Sequence, residues 1–243
     1  MKIIKLDAID STNSFLKEMA QKTPLQNYTV VTASVQKKGK GQMGAGWVSE
    51  PHKNLLCSVF VAFDTLLVKD QVFLNYAVSI AVYNVLKEYE LPKLQIKWPN
   101  DIMSDAKKIS GILIENIIQS RYVRSTVIGI GINVNQVKFP QNLPNATSIK
   151  KSIHQEIDID ILLQKIVIAL ESTLKLVTAS NKQILESRYI ELLYKKNTPT
   201  MFRDDEDVLF MGMVIGVSSV GKLQVQLEDD SVREFGIKEV SFA

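Results

Sequence analysis

Four of the chain's 11 glycines stand between positions 39 and 46, and this cluster constrains the fold more than any other feature. The segment reads Gln36-Lys37-Lys38-Gly39-Lys40-Gly41-Gln42-Met43-Gly44-Ala45-Gly46-Trp47. Residues 28–35 before it are rich in Thr and Val and read as a strand, and residues 55–63 after it read as a second, buried strand. Gly39-x-Gly41-x-x-Gly44 formally matches a dinucleotide fingerprint. That fingerprint needs a helix to open at the loop, so that the helix N-terminus meets the pyrophosphate. Here Trp47-Val48-Ser49-Glu50-Pro51 leads into strand, which excludes a Rossmann-type site. No Gly-Lys-Ser/Thr closes the loop, so a P-loop is excluded too. What remains is a glycine loop joining two strands. It is either a cradle whose amides approach an anion, with lysines to neutralise it, or a plain surface turn.

Around this unit the chain alternates strand and helix patterns. A short amphipathic helix starts near residues 10–12, capped by Asp10 or Ser11, with Phe15, Leu16, Met19 and Ala20 on its apolar side. Residues 72–90 have helical spacing and end before Pro92. Residues 94–98, 109–118 and 122–134 read as strands, the last with Gly129 and Gly131 to admit close approach. Helices are expected over 159–178 and 181–195. After Lys196 short apolar runs alternate with turn signals, the pattern of a small β-barrel of about 45 residues. A piece that size is marginal alone and is expected to pack on the main domain. The single cysteine, Cys57, rules out an internal disulfide, fits a reducing compartment, and reads as a small buried hydrophobe. The first residues lack a signal-peptide pattern, and the apolar stretch 76–86 is too short to span a bilayer. A cytoplasmic protein with no membrane partner is expected. Net charge is +3 with lysines dispersed, so no nucleic-acid partner is expected either. His52 and His154 have no partners at metal-ligand spacing, which argues against a catalytic zinc.

A second segment carries chemistry: Lys97-Trp98-Pro99-Asn100-Asp101, followed by Lys107-Lys108-Ile109-Ser110-Gly111-Ile112-Leu113-Ile114-Glu115. Pro99-Asn100-Asp101 marks a turn at a strand end, and Gly111 permits close backbone approach. Asp101 is suited to a metal that bridges nucleotide phosphates. A lysine here is suited to charge that develops in nucleotidyl transfer. Singly, each lysine also reads as a solvated surface charge, Asp101 as a turn former and Trp98 as a core residue.

Together these segments resemble the biotin–protein ligase family. The family's arginine-rich glycine loop appears as Gly39 to Trp47. Its Lys-Trp-Pro-Asn-Asp element is intact at Lys97 to Asp101, and the lysine seven residues further on, before an apolar-small-Gly triplet, is Lys108. The early Asp-Ser-Thr-Asn is Asp10 to Asn13, and Gly-x-Gly-Ile-Asn is Gly129 to Asn133. The five ordered motifs span about half the chain, and the β-rich C-terminal piece resembles the family's small terminal domain.

The resemblance implies an α+β fold: a mixed sheet with helices mainly on one face over residues 1–196, then an SH3-like barrel over 197–243. It implies that ATP, with Mg²⁺, activates biotin to biotinyl-5′-AMP, and that biotin then passes to a lysine of the biotin carrier protein domain of a carboxylase. Ser11, Thr12, Asn13, Gln36, Gly39, Lys40, Gly41, Lys108 and Gly111 match biotin-binding positions. Lys40, Gly41, Gln42, Gly44, Trp47 and Asn133 match positions on the ATP side. Lys108, Lys40 and Asp101 are the catalytic candidates, with Asp101 also the candidate Mg²⁺ ligand. Lys107, next to Lys108, points the other way if this piece is extended.

The loop departs from the family at Lys40, Gln42 and Ala45, where arginines are usual. Lys40 keeps charge without bidentate geometry, and the other two remove cations that hold a phosphate. Lys37 or Lys38 is the expected compensating charge. The family's N-terminal DNA-binding domain is not expected, because Asp10 to Asn13 opens the catalytic part at once. Two rivals are a lipoate–protein ligase-like enzyme, whose Arg-Arg, Gly-Gly-Gly and His-Asp signals are missing, and a non-catalytic biotin- or nucleotide-binding regulator. A homodimer through an exposed sheet edge is a further expectation.

Overall fold

The computed structural model describes residues 2–177 and 181–243. Its centre is a seven-stranded sheet of β1 (Lys2–Ile9), β2 (Thr29–Gln36), β5 (Asn54–Ala62), β9 (Tyr122–Asn133), β8 (Lys107–Gln119), β7 (Asp101–Ser104) and β6 (Gln95–Lys97), in that spatial order. β1 and β2 run parallel and every other neighbouring pair is antiparallel, so the sheet is mixed as expected.

Side-chain alternation explains why the central strands are buried on both faces. Val30, Val59 and Ile128 point into the main core, under α2 (Gln71–Lys87), α4 (Ile159–Leu174) and α5 (Lys182–Glu191). Val31, Phe60 and Val127 point the opposite way, onto Leu16 of α1 (Thr12–Lys22). α2 buries residues almost all round because it lies between the sheet and α4. α4 starts on Asp158, whose carboxylate accepts from the Asp160 and Ile161 amides at 2.8 and 3.0 Å. In α5, Tyr189 stacks on Tyr76 of α2 at 4.2 Å and donates to the Pro99 carbonyl at 3.1 Å. Three helices thus cover one face. α1 covers only part of the other, and the remainder of that face is free to form a site.

A second, antiparallel sheet comprises β10 (Pro199–Asp204), β11 (Leu209–Val217), β12 (Leu223–Leu227), β13 (Val232–Phe235) and β14 (Val240–Phe242), ordered β13-β12-β11-β10-β14. It is open between β13 and β14, an SH3-like sheet and not the closed barrel expected. It does not stand apart: Phe202, Val214, Leu223 and Phe235 join the main core, and the Trp98 indole donates to the Gly221 carbonyl at 3.0 Å.

The structure adds elements absent from the sequence reading. β1 is an edge strand whose mixed pattern, Lys2-Ile3-Ile4-Lys5-Leu6-Asp7, blurs the period of two. β7 and β14 are too short to carry a period, as is the helix α3 (Ile149–Ile153). The helix expected over 72–90 runs Gln71–Lys87, and that expected over 181–195 ends at Glu191. The end expected at Thr178 lies outside the described residues. Ser11, rather than Asp10, caps α1. Among the described residues no helix is long and apolar enough to cross a membrane.

Candidate active site

The uncovered part of the sheet, the N-terminus of α1, the glycine loop and the near edge of the second sheet enclose a cavity of about 460 Å³, a size that suits a small ligand. Its wall at β8 and β9 is made by glycines in register: Gly111 stands opposite Gly131, and Leu113 opposite Gly129. Bare backbone at these points lets two side chains lie on the sheet. The Trp47 ring rests on the first pair, so that a methyl added at Gly131 would stand 2.6 Å from Trp47 Cε2, and one at Gly111 2.9 Å from Trp47 Cζ3. The Asn13 amide rests on Gly129, in contact too close to admit a Cβ.

A hydrogen-bonded chain organises one end. Gln36 Oε1 accepts from the Thr12 amide at 2.8 Å and from its hydroxyl at 3.1 Å. Because an amide N–H only donates, the atom facing Thr12 is the oxygen. The Gln36 NH₂ group therefore turns away from Thr12, beside Gly39, with no hydrogen-bond partner among the described residues. Ser58 Oγ lies 2.8 Å from Thr12 Oγ1 and 2.5 Å from Asn13 Oδ1. Asn13 donates to Glu115 Oε2 at 3.0 Å and to the Leu113 carbonyl at 3.4 Å. Lys17 completes the row 3.0 Å from Glu115. Burial pushes the Glu115 carboxyl up, but the bonds from Lys17 and Asn13, with the charges of Lys17 and Lys40, hold it below the usual range. Ser11, buried beside them, accepts from the Ser14 amide at 3.4 Å.

Charge gathers where β7 meets β8. Lys108 Nζ lies 2.7 Å from Asp101 Oδ1 and 5.6 Å from the centre of the Trp47 ring. The turn that the sequence places at Pro99-Asn100-Asp101, after a strand, is there between β6 and β7, and Asp101 is the first residue of β7, paired with Lys97 across that turn and with Gly111 of β8. A bulge at Ile109 sets Lys108 opposite Met103. Lys107 is exposed and lines no part of the cavity. Lys97 lies 5.2 Å from the Phe242 ring. Burial lowers its pKa, Asp101 opposes this, and Lys108 and Lys195 add to the lowering.

The glycine loop folds back on itself: β3 (Gly39–Lys40) pairs with β4 (Gly46–Trp47), around a single 3₁₀ turn over Gln42–Gly44. The turn takes Met43 and Gly44 to φ of 52° and 78°, and the second of these positions favours glycine. Trp47 Nε1 is buried without a partner among the described residues, an N–H that a ligand acceptor would satisfy.

Most expected residues meet here: Ser11, Thr12, Asn13, Gln36, Lys40, Gly41, Gln42, Trp47, Asp101, Lys108 and Gly111 all line the cavity. Three do not. Gly39 lies at the loop base against the Trp47 carbonyl, Gly44 is exposed with open space beside it, and the buried Asn133 side chain donates to the Thr147 carbonyl at 2.9 Å. Nor do Lys37 and Lys38 reach the cavity, and Lys38 pairs with Asp10 at 3.0 Å. Sequence reasoning gave Lys97 a place in a motif but no role of its own, and it missed Ser58, as well as Phe202, Lys238 and Phe242 from the second sheet. Nothing in the sequence places that sheet at the cavity.

Comparison with known proteins agrees with this geometry. Residues 6–133, which contain all five motifs, match the biotin/lipoate A/B protein ligase family. The bifunctional ligase/repressor BirA of Bacillus subtilis is 34% identical over 172 residues, covering 70% of this chain and 52% of that protein. The biotin–[acetyl-CoA-carboxylase] ligase of Mycobacterium tuberculosis is 32% identical over 143 residues, 57% of this chain and 51% of that one. The chain thus spans about half the length of each of these relatives. The biotin protein ligase of Aquifex aeolicus, solved with biotin and ATP, superposes with a TM-score of 0.80 at 25% identity, over 100% of this chain and 98% of that one. With the family match running from within β1 to the end of β9, more than half of the sequence, the chain belongs to the biotin/lipoate A/B protein ligase family.

Proposed function

We propose that the chain is an ATP-dependent biotin–protein ligase. The observation that carries this is the Lys108–Asp101 pair, set between the Gln36–Thr12 end of the cavity and the Trp47 shelf under the glycine loop. A carboxylate in the first part and a nucleotide in the second bring their negative charges together at Lys108. The similar Aquifex protein, solved with biotin and ATP, supports the same two-part reading.

In the reaction a biotin carboxylate oxygen attacks the α-phosphorus of ATP. The bond to the β-phosphate breaks, and pyrophosphate leaves. Lys108 offsets the repulsion between the anions, and Asp101 holds the ammonium in place. An uncharged lysine amine of the acceptor then attacks the acyl carbon, AMP leaves, and the amine gives up a proton. The folded loop keeps water from the mixed anhydride meanwhile. The donor set at Asp101 is one carboxylate, and among the described residues no three His, Cys, Asp or Glu converge. This fits Mg²⁺ arriving on the nucleotide phosphates rather than a resident metal, and such an ion would neutralise phosphate charge. Ser11, Thr12, Asn13, Gln36, Lys40, Gly41 and Gly111 are proposed for biotin, and Lys40, Gly41, Gln42 and Trp47 for the adenylate.

The proposed acceptor is the biotin carrier domain of a carboxylase, and the proposed setting is the cytoplasm, with no nucleic-acid or membrane partner. The outer edge of β6 is occupied by residues 192–194. β1 is therefore the edge by which a second copy would pair.

Pyrophosphate release from ATP tests the proposal. Release is expected with biotin and not with lipoate. Release with lipoate alone would assign the chain to the other branch of its family, and release with neither would leave a binding protein without turnover. A second expectation concerns the arginine-poor loop. Gln42 lines the cavity, and Gln42→Arg would restore a bidentate cation there. Release of biotinyl-5′-AMP from the variant should slow by about three- to tenfold, the worth of one exposed charge-assisted bond, as read by retention on a desalting column. No slowing would show that this position does not face the phosphate.

A further inference from the structure

The loop that covers the cavity is weakly tied to the rest of the molecule. Its two short strands pair with each other, and Gly41 donates to the Ala45 carbonyl within the loop. Among the described residues, one hydrogen bond joins residues 40–46 to another part of the chain. Lys238 Nζ donates to the Met43 carbonyl, at the loop apex, at 2.9 Å.

Lys238 is presented by a turn with a defined shape. Between β13 and β14 the Glu239 carboxylate accepts from the Gly236 amide at 2.6 Å, and the Glu239 amide donates to the Gly236 carbonyl at 3.2 Å. Ile237 and Lys238, at the bend, both line the cavity. The lysines within or next to the loop are placed differently. Lys37 and Lys38 lie outside the cavity, and Lys40 lines it but bonds nothing outside the loop among the described residues.

We propose that Lys238 is a positioning residue that latches the glycine loop shut, so that the C-terminal sheet supplies the hold that arginines inside the loop would otherwise give. This rests on the ligase reading. With the bond made, the loop lies over the activated acid and water is kept out. With it broken, the apex lifts and the adenylate escapes.

Without an acceptor protein, an enzyme that holds its adenylate releases one pyrophosphate per active site in a burst, then turns over at the rate of adenylate escape. Lys238→Met keeps most of the length of the side chain and removes the donor. The burst amplitude counts intact sites, and the slow phase after it should rise about three- to tenfold, in line with one exposed hydrogen bond from a charged group. Lys238→Arg should restore the slow phase, which loss of mere bulk would not require. Tryptic cleavage at Lys37, Lys38 and Lys40 needs no catalysis and should accelerate by a similar factor in the Met variant, because nicking follows the population of the opened loop. An unchanged slow phase or unchanged nicking overturns the latch. Absence of a biotin-dependent burst in the parent protein would overturn the ligase reading instead, and the nicking comparison would still decide the latch.

Discussion

Lys108→Ala should lower the rate of pyrophosphate release in the presence of biotin and ATP by about 100- to 1,000-fold, the usual effect of removing one preorganised group that stabilises transition-state charge. The ammonium stands 2.7 Å from Asp101 and beside the Trp47 ring, where an incoming carboxylate and an α-phosphate would both be anionic. Its removal leaves the Asp101 carboxylate to add to the repulsion instead of balancing it. The half-reactions separate a chemical role from a structural one. Biotinyl-5′-AMP supplied ready-made bypasses the adenylation step, so transfer to a carrier domain should fall far less than adenylation. Lys108→Arg keeps the charge but not the point geometry and should recover only part of the rate. Equal loss in both half-reactions would show that the substitution merely disturbs the site, and no loss would remove Lys108 from the chemistry.

Gly131→Ala should raise the KM for ATP about tenfold or more while leaving thermal stability close to the parent's. The added methyl would lie 2.6 and 2.7 Å from Trp47 Cε2 and Cζ2, so the indole must leave the sheet. The strand itself has no reason to object, since alanine suits extended backbone at least as well as glycine. The cost falls on the ring, which must leave the bare backbone of Gly131, and on whatever ligand the ring supports. Trp47 and Trp98 are the two tryptophans. In a Trp98→Phe background, displacement should therefore appear as a red shift of the remaining emission. In a Trp47→Ala background the same glycine substitution should be nearly silent, because no ring is left to displace. A full effect in that background would mean that the methyl blocks the ligand directly.

Much of this site is legible in the sequence because its parts are local. Lys97 to Asp101 forms one turn, and Gly129 to Asn133 lies on one strand. The spacing of Lys107 and Lys108 on an extended piece decides which of the two faces the cavity. The rejection of a helix after the glycine loop also holds, as β4 and β5 follow it. What the sequence hides is what depends on long-range packing. Ser58 reads as one small residue in an apolar run, and only the docking of α1 brings it to Thr12 and Asn13. Asn133 belongs to a motif, yet its amide is spent on the Thr147 carbonyl. Lys238 reads as a turn residue of the second sheet, because no pattern shows where that sheet will dock. Lys37 and Lys38 read as compensating charges because they neighbour the loop in sequence, yet neither lines the cavity.

The orientation of Gln36 has a consequence for which acid the pocket admits. With its oxygen held by Thr12, the side chain keeps two hydrogens for the acid that the proposed ligase would bind, and they need a lone pair. The ureido ring of biotin brings one on its carbonyl. The dithiolane ring of lipoate brings only sulfur, a weak acceptor, and would leave those hydrogens dry, at a cost of about 1–3 kcal/mol once buried. On the proposed ligase reading, two acids with the same reactive carboxylate would be told apart at the ring, where no bond is made or broken, by the direction in which one amide is turned.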